Sequence, residues 1–333
     1  MSPARVTAIR PYRAIEGARI AILGSDFAID QPRLPEVRIA DRPARVVFAS
    51  PACIAALVPP GITESGPVPV RVAGIPGETA YIEVAASFAD GLHQVDNPVF
   101  DREGNLYVTY SGTRGQQVSV SIFRVKPNGT REAFCSGVVN PTSMALDPEG
   151  RLYVSSRFEG SVYRLDSDGT AHVFASDLGV ACGLAFAPDG TLYVGDRSGT
   201  ILKVDRGGHA STFASIPASI AAFHLALGRD GTLFVAAPTL SPHDAVYQIE
   251  PDGTVAVRTA GLGRPQGLAV DPSGSLFVVE ALAGSSGVYR LPDGGAPELV
   301  LAGPGLVGVA FDPLGGVVVC SNDTAYRLPR WSA

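Results

Sequence analysis

The sequence is short of charge, cysteine and basic residues, and each shortage removes a class of function. Only 17% of its 333 residues are charged, and 32 acidic residues against 26 basic ones leave a net charge of −6. Binding along a nucleic-acid backbone needs a basic excess, so no nucleic-acid partner is expected. No run of 18 apolar residues occurs, so no membrane-spanning helix and no membrane partner are expected. The opening MSPARVTAIRPYR has no continuous apolar core and does not read as a secretory signal. The chain as given therefore reads as cytoplasmic; removal of an export signal would make it extracellular or periplasmic. The four cysteines, Cys53, Cys135, Cys182 and Cys320, lie far apart without metal-ligand spacing. Reduced thiols are the simpler reading.

What the chain has in quantity is glycine and proline, 38 and 27 residues. Much of both falls at repeating places. In the segment 178–205, LGVACGLAFAPDGTLYVGDRSGTILKVD, three short apolar strands are joined by two tight turns, Pro188-Asp189-Gly190 and Asp196-Arg197-Ser198-Gly199. Proline presets φ in such turns and glycine supplies a positive φ. The turn glycine recurs as Gly104, Gly150, Gly190, Gly231, Gly274 and Gly315, at gaps of 46, 40, 41, 43 and 41 residues. A period near 40 with four strands per unit predicts a β-propeller, here of six blades. The last copy ends after its third strand. The stretch Ser87-Phe88-Ala89-Asp90 matches the fourth strands of other copies, so it is expected to close the last blade and remove a free sheet edge.

Residues 1–85 lack the repeat. Seven short strands separated by proline- and glycine-rich turns predict an immunoglobulin-like sandwich there, followed by the propeller over 86–333. The segments IRPYRAIEGARIAILGSDF, VRIADRPARVVFASPACIAALVPPGI and GPVPVRVAG resemble the IPT/TIG family, with Pro11, Gly17, Gly24 and Phe27 at its marked places and Glu16 replacing a usual glycine. The resemblance implies a spacer, a protein-docking surface or a homo-oligomer contact. The motifs DNPVFDREGNLYV, CGLAFAPDGTLYVGD and RPQGLAVDPSGSLFVVE resemble NHL-repeat proteins and, more narrowly, the SMP-30, gluconolactonase and luciferin-regenerating-enzyme group.

Aligning the repeats identifies the residues expected at one mouth of the central channel. The starts of the first strands supply Asp96, Asn97, Thr142, Ser143, Cys182, Phe223, His224 and Gln266. The loops after the second strands add Tyr110, Arg157, Asp196, Arg197, Glu280 and Asn322. The gluconolactonase resemblance implies a divalent cation, calcium or zinc, with Asp96 as its carboxylate ligand. Cys182, Gln266 and Thr142 stand where that family carries Asn or Asp, and one carboxylate with Thr and Gln is a poor calcium cage. Asp96 and His224 make a candidate catalytic acid/base pair; the other reading of His224 is a packing histidine that plugs the axis. Cys182 is either a nucleophile beside His224 or an inert buried thiol. Arg157 and Arg197 either clamp a carboxylate or pair with Glu159, Asp196 or Glu280.

Two functional classes follow. One is a gluconolactonase-like hydrolase of a small lactone or ester, with Asn97, Tyr110, Thr142, Ser143, Arg157, Cys182, Asp196, Arg197, Gln266, Glu280 and Asn322 around the substrate. The other is a non-catalytic NHL-type module binding a small ligand, glycan or protein on the same face. A lyase or isomerase on the same scaffold is a further alternative.

Overall fold

The computed structural model describes residues 4–29, 34–75, 79–221, 223–281 and 285–331. Among them every regular element is a β-strand. The repeat folds as the turn chemistry dictates. Gly190 sits at φ 88°, in the left-handed region that glycine enters without strain. Its N–H reaches the Ala187 carbonyl at 2.9 Å, and the Ala187 N–H reaches Thr191 at 2.8 Å. The strand Ala181–Phe186 thereby turns back into Leu192–Asp196, which continues through Thr200–Val204 to Ala210–Ser215.

The same four-strand meander is built on Val99–Phe100, Pro141–Leu146, His224–Leu227, Pro265–Val270 and Leu306–Phe311. These short first strands stand side by side in a closed ring about one axis. Large apolar side chains fill the space between successive sheets: Tyr153, Val162, Leu184, Leu192 and Val204 form one such layer, almost wholly out of water. The last sheet takes its outer strand from Ala86–Ala89, which pairs with Ala325–Leu328 through Ala89 opposite Ala325 and Ser87 opposite Tyr326.

The expectation of six blades needs correction. Five four-stranded sheets are free-standing. The meander running from Pro265–Val270 out to Glu298–Ala302 is instead merged into a 12-stranded sheet with the N-terminal domain. The link is the two-residue strand Arg13–Ala14, parallel to Ala80–Val84 on one side and paired with Ala302 on the other.

The N-terminal domain packs two layers over a core of Ile20, Ile22, Ile39, Ile54 and Ile82. Arg42–Ser50 pairs with a strand of each layer and joins them. Gly24 is required by a close approach: a Cβ there would meet the Arg5 carbonyl and the Phe27 ring.

Candidate functional site

One mouth of the propeller holds a cavity of about 520 Å³. Its walls come from several repeat units. Arg157 and Arg197 follow the second strands Leu152–Ser156 and Leu192–Asp196. Arg264 precedes the first strand Pro265–Val270, and Arg114 comes from the loop after Leu106–Thr109. Val95, Phe158, Val180, Ile220 and Val307 supply apolar wall, and Gln94, Gln266 and Asn322 supply amides. No Asp or Glu stands among the described lining residues.

The arginines are held out from preformed backbone. Asn140 accepts from the Gly115 N–H at 2.6 Å and donates to the carbonyls of Ser111 and Thr113, pinning the loop that carries Arg114. The Arg197 backbone bonds to Val180 and Ser219, and its guanidinium donates to the Ile220 carbonyl at 3.1 Å. The expected alternative, that Arg157 and Arg197 pair with Glu159, Asp196 or Glu280, does not occur: among the described residues neither forms an ion pair, nor do Arg114 and Arg264. Elsewhere, Arg124, Arg151, Arg290 and Arg327 all sit against carboxylates. Burial, and then the charge of Arg197, holds Arg157 below its ordinary value. Burial and Arg157 lower His93 in the same way.

Beneath this cavity lies the Asp96–His224 pair. Its two residues come from opposite sides of the ring and meet across the axis, His224 Nδ1 donating to Asp96 Oδ1 at 2.6 Å. The side chains are 2% and 0% exposed. Neither lines the cavity. The same Asp96 oxygen also accepts from the Asn97 N–H at 2.7 Å. His224 Nε2 is buried and has no hydrogen-bond partner among the described residues.

Several other expected site residues are committed to backbone groups between blades. Asn97 donates to the Leu268 carbonyl and accepts from the Val309 N–H, tying three repeat units together. Ser143 accepts from the Leu184 N–H at 3.1 Å. Thr142 donates to the Asn140 carbonyl and is fully buried. Asp196 accepts from the Val180 N–H at 2.8 Å and so caps the turn entering its own first strand. Glu280 is buried, and its charge, after burial itself, raises Tyr289. Tyr110 lies at the rim, edge-on to His93. Cys182 is a buried residue of the cavity floor, and burial pushes its thiol up to about 11, so it stays protonated at neutral pH. Of the candidates, Arg157, Arg197, Cys182, Gln266 and Asn322 reach the cavity.

The residues here do not fit the cation implied by the gluconolactonase resemblance. Asp96 is already engaged by His224 and Asn97, and the nearest open charges are arginines. No group of three or more His, Cys, Asp or Glu converges among the described residues. Sequence reasoning missed Arg114 and Arg264. The signal for Arg114 is the 46-residue first gap, longer than the rest, which places extra chain in that loop.

Comparison with known proteins agrees with this architecture. A model of the IPT/TIG domain matches residues 4–88. No curated protein matches the chain. Among solved structures, an auxiliary nutrient binding protein from Bacteroides thetaiotaomicron is similar over 98% of both chains, at 12% identity and a TM-score of 0.58. A gluconolactonase from Xanthomonas campestris is similar over 72% of this chain and 88% of its own, at 17% identity and a TM-score of 0.61. Virginiamycin B lyase from Staphylococcus aureus is similar over 88% of this chain and 99% of its own, at 13% identity and a TM-score of 0.54. At such identities the likeness shows the fold: an N-terminal IPT/TIG domain followed by an all-β propeller.

Proposed function

We propose that this chain is a recognition protein that binds a small molecule at the propeller mouth, and is not a lactone hydrolase working through Asp96 and His224. We assign it to the NHL-type modules and count the merged meander as a sixth blade. One observation carries the functional reading. The open cavity is lined by arginines without an ion pair among the described residues, while the Asp96–His224 pair is buried and lines none of it. A general acid or base must come within about 2.6–3.2 Å of the proton it moves, and neither Asp96 nor His224 borders the space a substrate would fill. The cavity volume falls within the few hundred to about 1,000 Å³ usual for small-ligand sites. The nutrient binding protein, which spans both domains, supports the same reading. A second reading, catalysis on this scaffold, is favoured by the unpartnered Nε2 of His224 and by the gluconolactonase and lyase among the similar structures.

The test is to screen the protein against small lactones and aryl esters, with Asp96→Asn and His224→Gln alongside. The expected outcome is no turnover above background for any of the three. Turnover by the wild type that falls roughly a hundredfold or more in either variant, as loss of a positioned acid or base does, would overturn the reading in favour of the enzyme.

A further inference from the structure

Resting on that reading, we propose that the ligand is a small organic anion with two or more negative groups, held between Arg157, Arg197, Arg264 and Arg114. The chain is acidic overall, at −6, yet its mouth gathers four arginines and no described carboxylate. Gathering like charges in one concave site disfavours folding, and Arg157, partly buried beside Arg197, carries that cost most directly. Such an arrangement makes sense where an anion completes it.

Arginine suits this task more than lysine would. Its planar fork donates two parallel hydrogen bonds to a carboxylate or phosphate. Among the described residues Arg157 makes no hydrogen bond or ion pair, and Arg197 spends one donor on the Ile220 carbonyl but meets no carboxylate, whereas Arg124, Arg164 and Arg327 outside the mouth are all paired with one. The four arise from different repeat units, so one single-charged group could not satisfy them all. Two or more separated anionic groups could. Phe158 and Ile220 at the rim, 53% and 43% exposed, give the carbon frame of such a ligand an apolar surface to cover. A positive mouth on an acidic surface also focuses the field that draws an anion in.

The experiment is calorimetric titration of the whole chain with citrate and with pyrophosphate, which separate polycarboxylate from phosphate chemistry, and with neutral triethyl citrate. We expect at least one of the two anions to bind at one site, with affinity falling as salt rises. Each of Arg157→Gln and Arg264→Gln should weaken it roughly tenfold or more, as loss of a charged hydrogen bond does. Arg45→Gln, on an exposed strand of the N-terminal domain, should leave it unchanged. Without ligand at low salt, Arg157→Gln should melt no lower than the wild type. The inference is overturned if both anions bind no better than acetate at matched ionic strength, if the arginine variants bind them equally well, or if Arg157→Gln melts lower. Triethyl citrate or a neutral lactone bound with equal strength by wild type and arginine variants would refute the anion while sparing the recognition reading. No binding by any of these compounds would count against both.

Discussion

At the scale of the residue, the pair that spans the axis acts on stability. Asp96 and His224 are both out of water, and each is the other's main polar partner. Removing one member of such a pair leaves the other buried and uncompensated, at a cost of about 3–5 kcal/mol. We therefore expect Asp96→Ala and His224→Leu each to destabilise the fold by that order in urea unfolding. The double variant should cost less than their sum, with a coupling of about 1–3 kcal/mol. Single variants that unfold within about 0.5 kcal/mol of the wild type would show that the axis does not depend on the pair. Repeat alignment makes this meeting legible, because both residues fall at the starts of first strands and His224 stands where Gly183, Gly267 and Gly308 occupy other copies. It does not reveal that Asn97 and Ser143 bond to backbone groups of neighbouring repeat units. Which backbone group an inner side chain reaches depends on the offset of the neighbouring blade, and no local pattern records that offset. Arg114 and Arg264 are harder still, since one has no counterpart in other repeats and the other precedes its strand.

At the scale of the element, strands and turns are legible because their causes are local. A glycine with positive φ after Pro-Asp or a like pair fixes where one strand stops and the next begins, and the two-residue side-chain period sets which face is apolar. The closing strand is legible for the same reason, since Ser87-Phe88-Ala89 repeats the pattern of the other outer strands. In the structure Phe88 also lies under the Arg327 guanidinium, 4.9 Å from ring centre to charge. A truncation pair tests how much this strand matters. Removing residues 1–85 takes away the N-terminal domain but keeps Ala86–Ala89; removing 1–90 takes the strand as well and leaves Ala325–Leu328 as an open edge. Open edges invite intermolecular pairing. The longer truncation is expected to melt lower and aggregate, measured by light scattering during a thermal ramp. Identical behaviour of the two would mean that the last blade does not need its fourth strand.

At the scale of the whole molecule, the sequence suggests two separately built domains, whereas the structure joins them into one sheet. The change of period near residue 85 marks where one pattern ends, but nothing local reveals that Arg13–Ala14 leaves the sandwich to pair with Ala302 of the propeller. The junction is dense. Arg13 meets Glu83 at 2.7 Å and stacks 4.5 Å over the Trp331 ring. Ser65 donates to the Arg327 carbonyl at 2.6 Å. Ile15, from the N-terminal domain, is 1% exposed and packs in the propeller core with Phe277, Leu301 and Leu306. Domains joined through a shared sheet and a shared apolar cluster should unfold together, so calorimetry of the wild type is expected to give one transition with equal calorimetric and van't Hoff enthalpies. Ile15→Ala removes the wedge and leaves a cavity, at a cost of about 2–5 kcal/mol. Because that cost falls on the junction and not on either separate core, the variant should resolve into two transitions, the lower one much earlier than the wild type. Two transitions in the wild type, or an Ile15→Ala protein that still melts as one unit at an unchanged temperature, would mean that the shared sheet does not couple the domains.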